Sequence, residues 1–253
     1  MKKLIISGAC GKMGRMLASE APAAGFEVVA GVDSNHNPTV SFPLFTQFAG
    51  LPIPDVLIDF SSPAILEPLL GYAANARIPC VLGTTGYTDD DMAQIKKAAE
   101  LFPIFHASNM SLGVYVLKKL AEQAASMLPG YDIEIIEKHH NQKSDSPSGT
   151  ALTLFEAVRG ANQHPVFSRE GKTVRRNPLE IGMHAVRGGT IPGEHEVGFY
   201  GNYEALYLSH SAQNRIIFAL GALKAAQFIT GQTPGLYTME ELVNALGSSH
   251  HQA

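Results

Sequence analysis

The sequence predicts an α/β protein of two domains: a parallel sheet covered by helices on both faces, then an α+β domain with a mixed or antiparallel sheet. Three observations carry this. Short apolar strands alternate with helical stretches through residues 2–107. A glycine-rich turn joins the first strand directly to the first helix. Beyond residue 130, segments alternate apolar and polar residues with period two and are broken by glycines, as half-buried strands are.

Taken in order, residues 2–7 form a strand, Gly8 to Gly14 a turn, and residues 15–24 a helix. FEVVAGV (26–32) is a second strand ending at Asp33, so a βαβ unit is complete in about 30 residues. DVLIDF (55–60) is a third strand. Ser61, Ser62 and Pro63 then start a helix to residue 76. Residues 79–82 are a fourth strand followed by GTTGY, and residues 89–101 a helix with acidic residues in its first turn. Residues 103–107 close the series as a fifth strand.

The pattern then changes. Residues 113–127 are an apolar-periodic helix, YDIEIIEK (131–138) is a half-buried strand, and residues 148–158 are a helix. EIGMHAVRGG, EHEVGFYG and YEALYLSHSA within 171–214 predict antiparallel strands and hairpins. Residues 215–231 are a helix of small apolar residues that can return to cover the first sheet. This gives one domain from residues 1–110 plus 215–247, a second from 111–214, and a flexible tail at 248–253. Hinges are expected at Asn109–Ser111 and Ser211–Arg215.

Composition bounds the function. The 253 residues, 45% hydrophobic, suffice for two cores. With 19 Lys and Arg against 23 Asp and Glu, the net charge of −4 argues against a nucleic-acid partner. Two cysteines make a disulfide scaffold unsuitable and fit a reducing compartment. No stretch approaches the ~20 apolar residues of a membrane span, and the apolar run after Met1 stops at SGACGKMGR. A cytoplasmic protein is expected.

Gly8, Gly11 and Gly14 have G-x-x-G-x-x-G spacing between a strand and a helix. A tight turn, close backbone approach to a pyrophosphate and close helix–strand packing all require residues without a side chain, and the helix start offers N–H groups to phosphate. A Rossmann-type dinucleotide site follows. Asp33 stands where a carboxylate holds ribose hydroxyls, which favours NADH over NADPH, although Lys12 and His36 can soften repulsion of a 2′-phosphate. Phe60-Ser61-Ser62-Pro63 and Gly83-Thr84-Thr85-Gly86-Tyr87 follow strands and suit the nicotinamide end.

The second chemical segment is EIIEKHHNQKSDSPSGT (134–150). His139 can act as a general acid near neutral pH, Lys143 as a point charge or proton donor, and Ser148, Gly149 and Thr150 as hydroxyl and amide donors to carboxylates at a helix start. Glu137 and Asp145 can orient a histidine or pair with Lys143, and spacing does not choose between them. His139, His140, His184, His195 and His210 are available to a metal, but without H-E-x-x-H or a cysteine pair no metal is expected. Cys80 lies inside an apolar strand, which suits an inert thiol better than a nucleophile. Cys10 lies in the glycine loop.

These segments resemble the 4-hydroxy-tetrahydrodipicolinate (dihydrodipicolinate) reductases. The resemblance runs through GACGKMGR (8–15), FSSP (60–63), GTTGY (83–87), ASNMSLGV (107–114), EIIEKHHNQKSDSPSGTAL (134–152) and HAVRGGTIPGEHEVGF (184–199). It implies NAD(P)H-dependent reduction of a cyclic dicarboxylate in the diaminopimelate route to lysine, with loss of water and hydride addition at C4. It implies His139 as general acid, Lys143 as its helper, and His140, Ser148, Gly149 and Thr150 as substrate contacts. Gly8, Lys12, Met13, Asp33, Phe60, Gly83, Thr85, Ala107, Asn109 and Met110 fall at or near its cofactor contacts. It also implies a homotetramer assembled through the sheet of the second domain. Ser34 departs from the family pattern: many members carry a basic residue there to meet a 2′-phosphate, so NADH or dual use is expected. Two rivals are another NAD(P)-dependent reductase of a small carboxylated metabolite, which would differ at 139–150, and a non-enzymatic dinucleotide sensor.

Overall fold

The computed structural model describes residues 1–35, 40–171, 173 and 175–250. The chain divides into two compact units, Met1–Met110 with Ile216–Ala253, and Ser111–Arg215.

Unit 1 begins with β1 (Lys2–Ser7), α1 (Lys12–Glu20) and β2 (Phe26–Val32), then β3 (Leu44–Phe45) and β4 (Val56–Asp59). A 3-10 turn at Pro63–Ile65, capped by the Ser62 hydroxyl accepting from the Ala64 N–H, leads into α2 (Leu66–Ala76). β5 (Cys80–Leu82), α3 (Asp89–Ala99) and β6 (Pro103–His106) follow. Thr88 and Asp91 form a reciprocal capping box that fixes where α3 starts.

Unit 2 holds α4 (Leu112–Met127), β7 (Asp132–His139), α5 (Gly149–Val158), β8 (His164–Val166), β9 (Glu180–Arg187), β10 (Gly193–Tyr200) and β11 (Ala205–Ala212). The chain then returns to unit 1 as α6 (Ile216–Ile229), β12 (Gly235–Tyr237) and α7 (Met239–His250).

The first sheet has strand order β12-β6-β5-β4-β1-β2-β3, with every pairing parallel. Chain order reverses between β1 and β4, so the turns after these two strands border one crevice. Its central strands are apolar at every position that must face a helix layer: Leu4, Ile5, Ile6, Val56, Leu57 and Ile58 are all fully enclosed. α6 packs against β4, β5 and β6, as its small residues allow. A Cβ at Gly221 would lie 1.8 Å from the Met110 carbonyl oxygen, so glycine sets how closely this helix approaches.

The second sheet has order β11-β10-β7-β9-β8. Helices α4 and α5 supply Leu117, Ala121, Ala151, Leu154, Phe155 and Val158 to a core with Ile133, Ile135, Ile181, Met183, Val197 and Phe199. Three expectations need correction here. The 180–187 and 193–200 segments are not a hairpin, because β7 lies between them, and β9 runs parallel to both β7 and β8. α1 starts at Lys12 rather than residue 15, since Gly14 is a helical residue and not part of the turn. A helix runs to His250 through the first part of the expected tail. His36 and residues 251–253 lie outside the described residues.

Candidate active site

In unit 1 the three glycines do different jobs. Gly8 has φ +76°, and a Cβ there would fall 2.4 Å from the Phe60 carbonyl oxygen, so it makes the turn beside β4. A Cβ at Gly14 would meet the Gly8 carbonyl oxygen at 2.2 Å, so this position sets how closely the helix packs on the glycine turn. Gly11 is exposed and precedes α1, leaving the outer side of the loop open to a ligand. α1 has no side-chain cap among the described residues and no acid in its first turn, which suits a phosphate. Lys12 and Met13 open that helix, with Lys12 exposed.

Asp33 accepts the Cys10 N–H on Oδ2 and the Asn35 N–H on Oδ1, both at 2.9 Å. The carboxylate therefore ties the end of β2 to the glycine loop, and each oxygen retains capacity for a further donor. Across the crevice, a Cβ at Gly83 would lie 2.4 Å from Phe60 Cζ, so the aromatic ring lies directly over the Gly83 backbone. Thr85 is exposed, and Ala107 and Asn109 are half-buried. Met110 is enclosed, with its carbonyl against Gly221. Beneath the two loops lies Asp59, at 0% exposure. It accepts the Ser61 hydroxyl at 2.6 Å and the Thr84 hydroxyl at 2.5 Å. Burial raises its pKa, and the hydroxyls of Ser61, Thr84, Ser7 and Tyr87 oppose that only in part.

In unit 2 the polar centre grows out of the strand period. The alternation that buries Ile133 and Ile135 on β7 also buries Glu137 and His139, at 1% and 8% exposure. On β10 the same face carries Val197, Phe199 and His195. In register beside His139, β9 brings in Arg187. The core face of three adjacent strands thus turns polar at one end.

Glu137 is the hub. Oε1 accepts Arg187 Nη2 at 2.8 Å and the Ser148 N–H at 3.0 Å. Oε2 accepts Arg187 Nη1 at 2.8 Å and makes a short contact with His139 Nδ1. Burial is the largest single influence and would raise this carboxyl's pKa, but Arg187, His139 and the Ser148 N–H together hold it below the usual range. His139 packs edge-on against His195, their ring centroids 5.1 Å apart. The Ser148 side chain caps α5 through the Ala151 N–H and meets His195 Nε2 at 3.1 Å. Burial, helped by His139, pushes His195 down to about 4, so it is neutral at pH 7. Its buried Nδ1 has no partner among the described residues.

His139, Ser148 and the exposed Gly149 at the start of α5 come together around this hub, with Thr150 in the same first turn. Lys143 takes Asp145 instead, at 2.7 Å and 2.8 Å to the two oxygens. Of the pairings that spacing left open, the structure brings Glu137 to His139 and Asp145 to Lys143. His140 Nε2 accepts from Arg215 Nη2 at 2.7 Å. Arg187 and Arg215 were not singled out as site residues in the sequence, and His195 only as one of five histidines available to a metal. The missed signal was strand parity at 133, 135, 137 and 139, which puts two ionisable groups on a core face and demands partners for them. Among the described residues no three His, Cys, Asp or Glu side chains are grouped to hold a metal ion, and no helix is long and apolar enough to cross a membrane.

Residues 2–110 match the family description "Dihydrodipicolinate reductase, N-terminus", and residues 113–243 match "Dihydrodipicolinate reductase, C-terminus". The chain belongs to the dihydrodipicolinate reductase family. Like the family, it is an oxidoreductase that uses a nicotinamide dinucleotide. A 4-hydroxy-tetrahydrodipicolinate reductase of Caldanaerobacter subterraneus subsp. tengcongensis is 49% identical over 250 residues, spanning 96% of this chain and 98% of that protein. One from Methanocorpusculum labreanum is 39% identical over 253 residues, spanning 96% and 99%. The dipicolinate-bound dihydrodipicolinate reductase from Paenisporosarcina sp. TG-14 superposes with a TM-score of 0.77 at 26% identity, over 94% of this chain and 97% of that one. The WlbA dehydrogenase from Thermus thermophilus, solved with NAD, shares the fold alone at 13% identity and a TM-score of 0.57, over 96% and 91%.

Proposed function

We propose that the chain reduces 4-hydroxy-tetrahydrodipicolinate to tetrahydrodipicolinate in lysine biosynthesis, with His139 and Lys143 as its catalytic residues. The observation that carries this is the meeting of a buried, carboxylate-held imidazole with an acid-free helix start at Ser148–Gly149. The reaction consumes one hydride and one proton and releases water. The dinucleotide supplies the hydride when bound. Gly8, Gly11, Lys12, Met13, Gly14 and Asp33 would hold its phosphates and ribose, and Phe60, Gly83, Thr85, Ala107, Asn109 and Met110 its nicotinamide end.

The chain itself must bind a dicarboxylate and manage one proton. Gly149 and Thr150 at the start of α5 grip one carboxylate. His140 and Arg215 carry donors for the other, and Lys143 adds positive charge. His139 gives its Nε2 proton and takes another from solvent. Asp33 followed by Ser34 favours an unphosphorylated ribose, so NADH is used at least as well as NADPH. We further propose a cytoplasmic homotetramer, joined through the second sheet, where Leu206 and Tyr207 of β11 stand exposed. Light scattering behind a sizing column tests that assembly.

The deciding assay generates the substrate from pyruvate and aspartate semialdehyde with a synthase, then follows NADH or NADPH oxidation. Oxidation with either cofactor is expected, and none from a folded sample that binds dinucleotide would overturn the assignment. His139→Gln and Lys143→Ala should lower turnover roughly 10²-fold or more while leaving dinucleotide affinity nearly unchanged. Ser34→Arg should shift preference toward NADPH.

A further inference from the structure

We propose, on the footing that His139 is the proton donor, that Glu137 is the positioning residue of the reaction: one buried carboxylate, neutralised by Arg187, fixes the proton-bearing nitrogen of His139 and the substrate-gripping end of α5 together. A carboxylate offers about four lone-pair sites. Here the two Arg187 nitrogens, the Ser148 N–H and His139 Nδ1 take all four. Arginine and a backbone amide only donate, so the carboxylate is left as a pure acceptor. Nδ1 of His139 must then carry a hydrogen in both protonation states of the ring. The exchangeable proton is confined to Nε2.

Nε2 is the nitrogen that faces Gly193. A Cβ added to Gly193 would lie 3.0 Å from it, closer than to any other atom, so glycine keeps that side clear. Because Oε1 of the same carboxylate holds the Ser148 N–H, a shift of Glu137 would move the imidazole and the first turn of α5 together. Lys143 is anchored on Asp145, whose backbone carbonyl accepts Arg187 Nη2 at 2.7 Å. Glu137 touches no reacting atom in this scheme and acts through His139, Ser148 and Arg187.

The test has two arms. In the ¹⁵N-labelled wild-type protein, the neutral His139 ring should show Nδ1 protonated and Nε2 bare. The opposite tautomer would overturn the proposal without any variant having to fold. The second arm is a kinetic cycle of Glu137→Gln, His139→Gln and the pair. Glu137→Gln should lower kcat roughly 10²-fold, raise KM for substrate, and leave the dinucleotide Kd as it was. Within the His139→Gln background it should lower kcat no further. An equal kcat loss in both backgrounds would show a merely structural role and sink the proposal. If His139→Gln alone kept wild-type kcat, the acid assignment beneath would fall, and the mechanistic role of Glu137 with it. The labelled ring would still report which tautomer the carboxylate selects, so the two failures remain distinct.

Discussion

Asp59 and Glu137 are enclosed carboxylates near the carboxyl ends of strands, one in each unit, and their surroundings are opposite in kind. Asp59 sits among neutral hydroxyls and is pushed toward its protonated form. Glu137 meets a guanidinium fork, an imidazole and an amide N–H, and is held ionised. A hydroxyl can reverse from donor to acceptor, whereas a guanidinium cannot. The Asp59 network therefore tolerates a change in the carboxyl's state, and the Glu137 network does not. The first binds two loops together without a fixed charge. The second fixes a charge in order to fix a proton.

The largest effect should come from Glu137→Ala, which strands Arg187 beside a buried void. Urea unfolding should show a loss of about 3–5 kcal/mol, the usual result of breaking a buried pair. Asp59→Asn should cost within about 1 kcal/mol, because Ser61 and Thr84 can turn their hydroxyls to suit an amide. Comparable losses at the two sites would break the contrast.

pH sharpens it further. The raised Asp59 pKa gives stability that is present below the ordinary carboxyl range and lost as pH rises through the folded value. The lowered Glu137 pKa gives stability present above that range and lost as pH falls through its folded value. Unfolding midpoints of Asp59→Asn relative to wild type should therefore improve steadily from pH 4 upward, and the Glu137→Gln deficit should shrink in acid. The smallest effect concerns Cys80, which lies near Asp59 and whose thiol is likewise kept protonated, chiefly by burial. In native protein a disulfide reagent should react promptly with half-buried Cys10, and with Cys80 only in denaturant.

Much of unit 1 was legible because its signals are local. A strand, a glycine turn, a helix and Asp33 all lie within one βαβ stretch, and their spacing carries their geometry. The exceptions have physical causes. Gly14 suggested a turn and stands in a helix, because its missing side chain serves packing against Ala9. The two-residue β3 and three-residue β8 and β12 are too short to leave a periodic trace. In unit 2 the residue types of the site were legible at 139–150, but the partners that define their chemistry were not. Arg187 reaches Glu137 only because β9 pairs in parallel with β7, and His195 reaches Ser148 only because β10 flanks β7 on the other side. Glycine-broken alternation looks the same whether consecutive strands form a hairpin or are separated by a third.

That interleaving also imposes a timetable on folding. Glu137 waits 50 residues for Arg187, and Ser148 waits 47 for His195. While the chain is being synthesised, β7 has no neighbour to pair with until β9 has emerged, and its second edge stays open until β10 does. Contacts of such separation form late, after loop entropy has been overcome. The polar centre thus assembles only once β9 and β10 have joined β7, and a chain interrupted before β10 would hold every residue from 139 to 150 without their working arrangement.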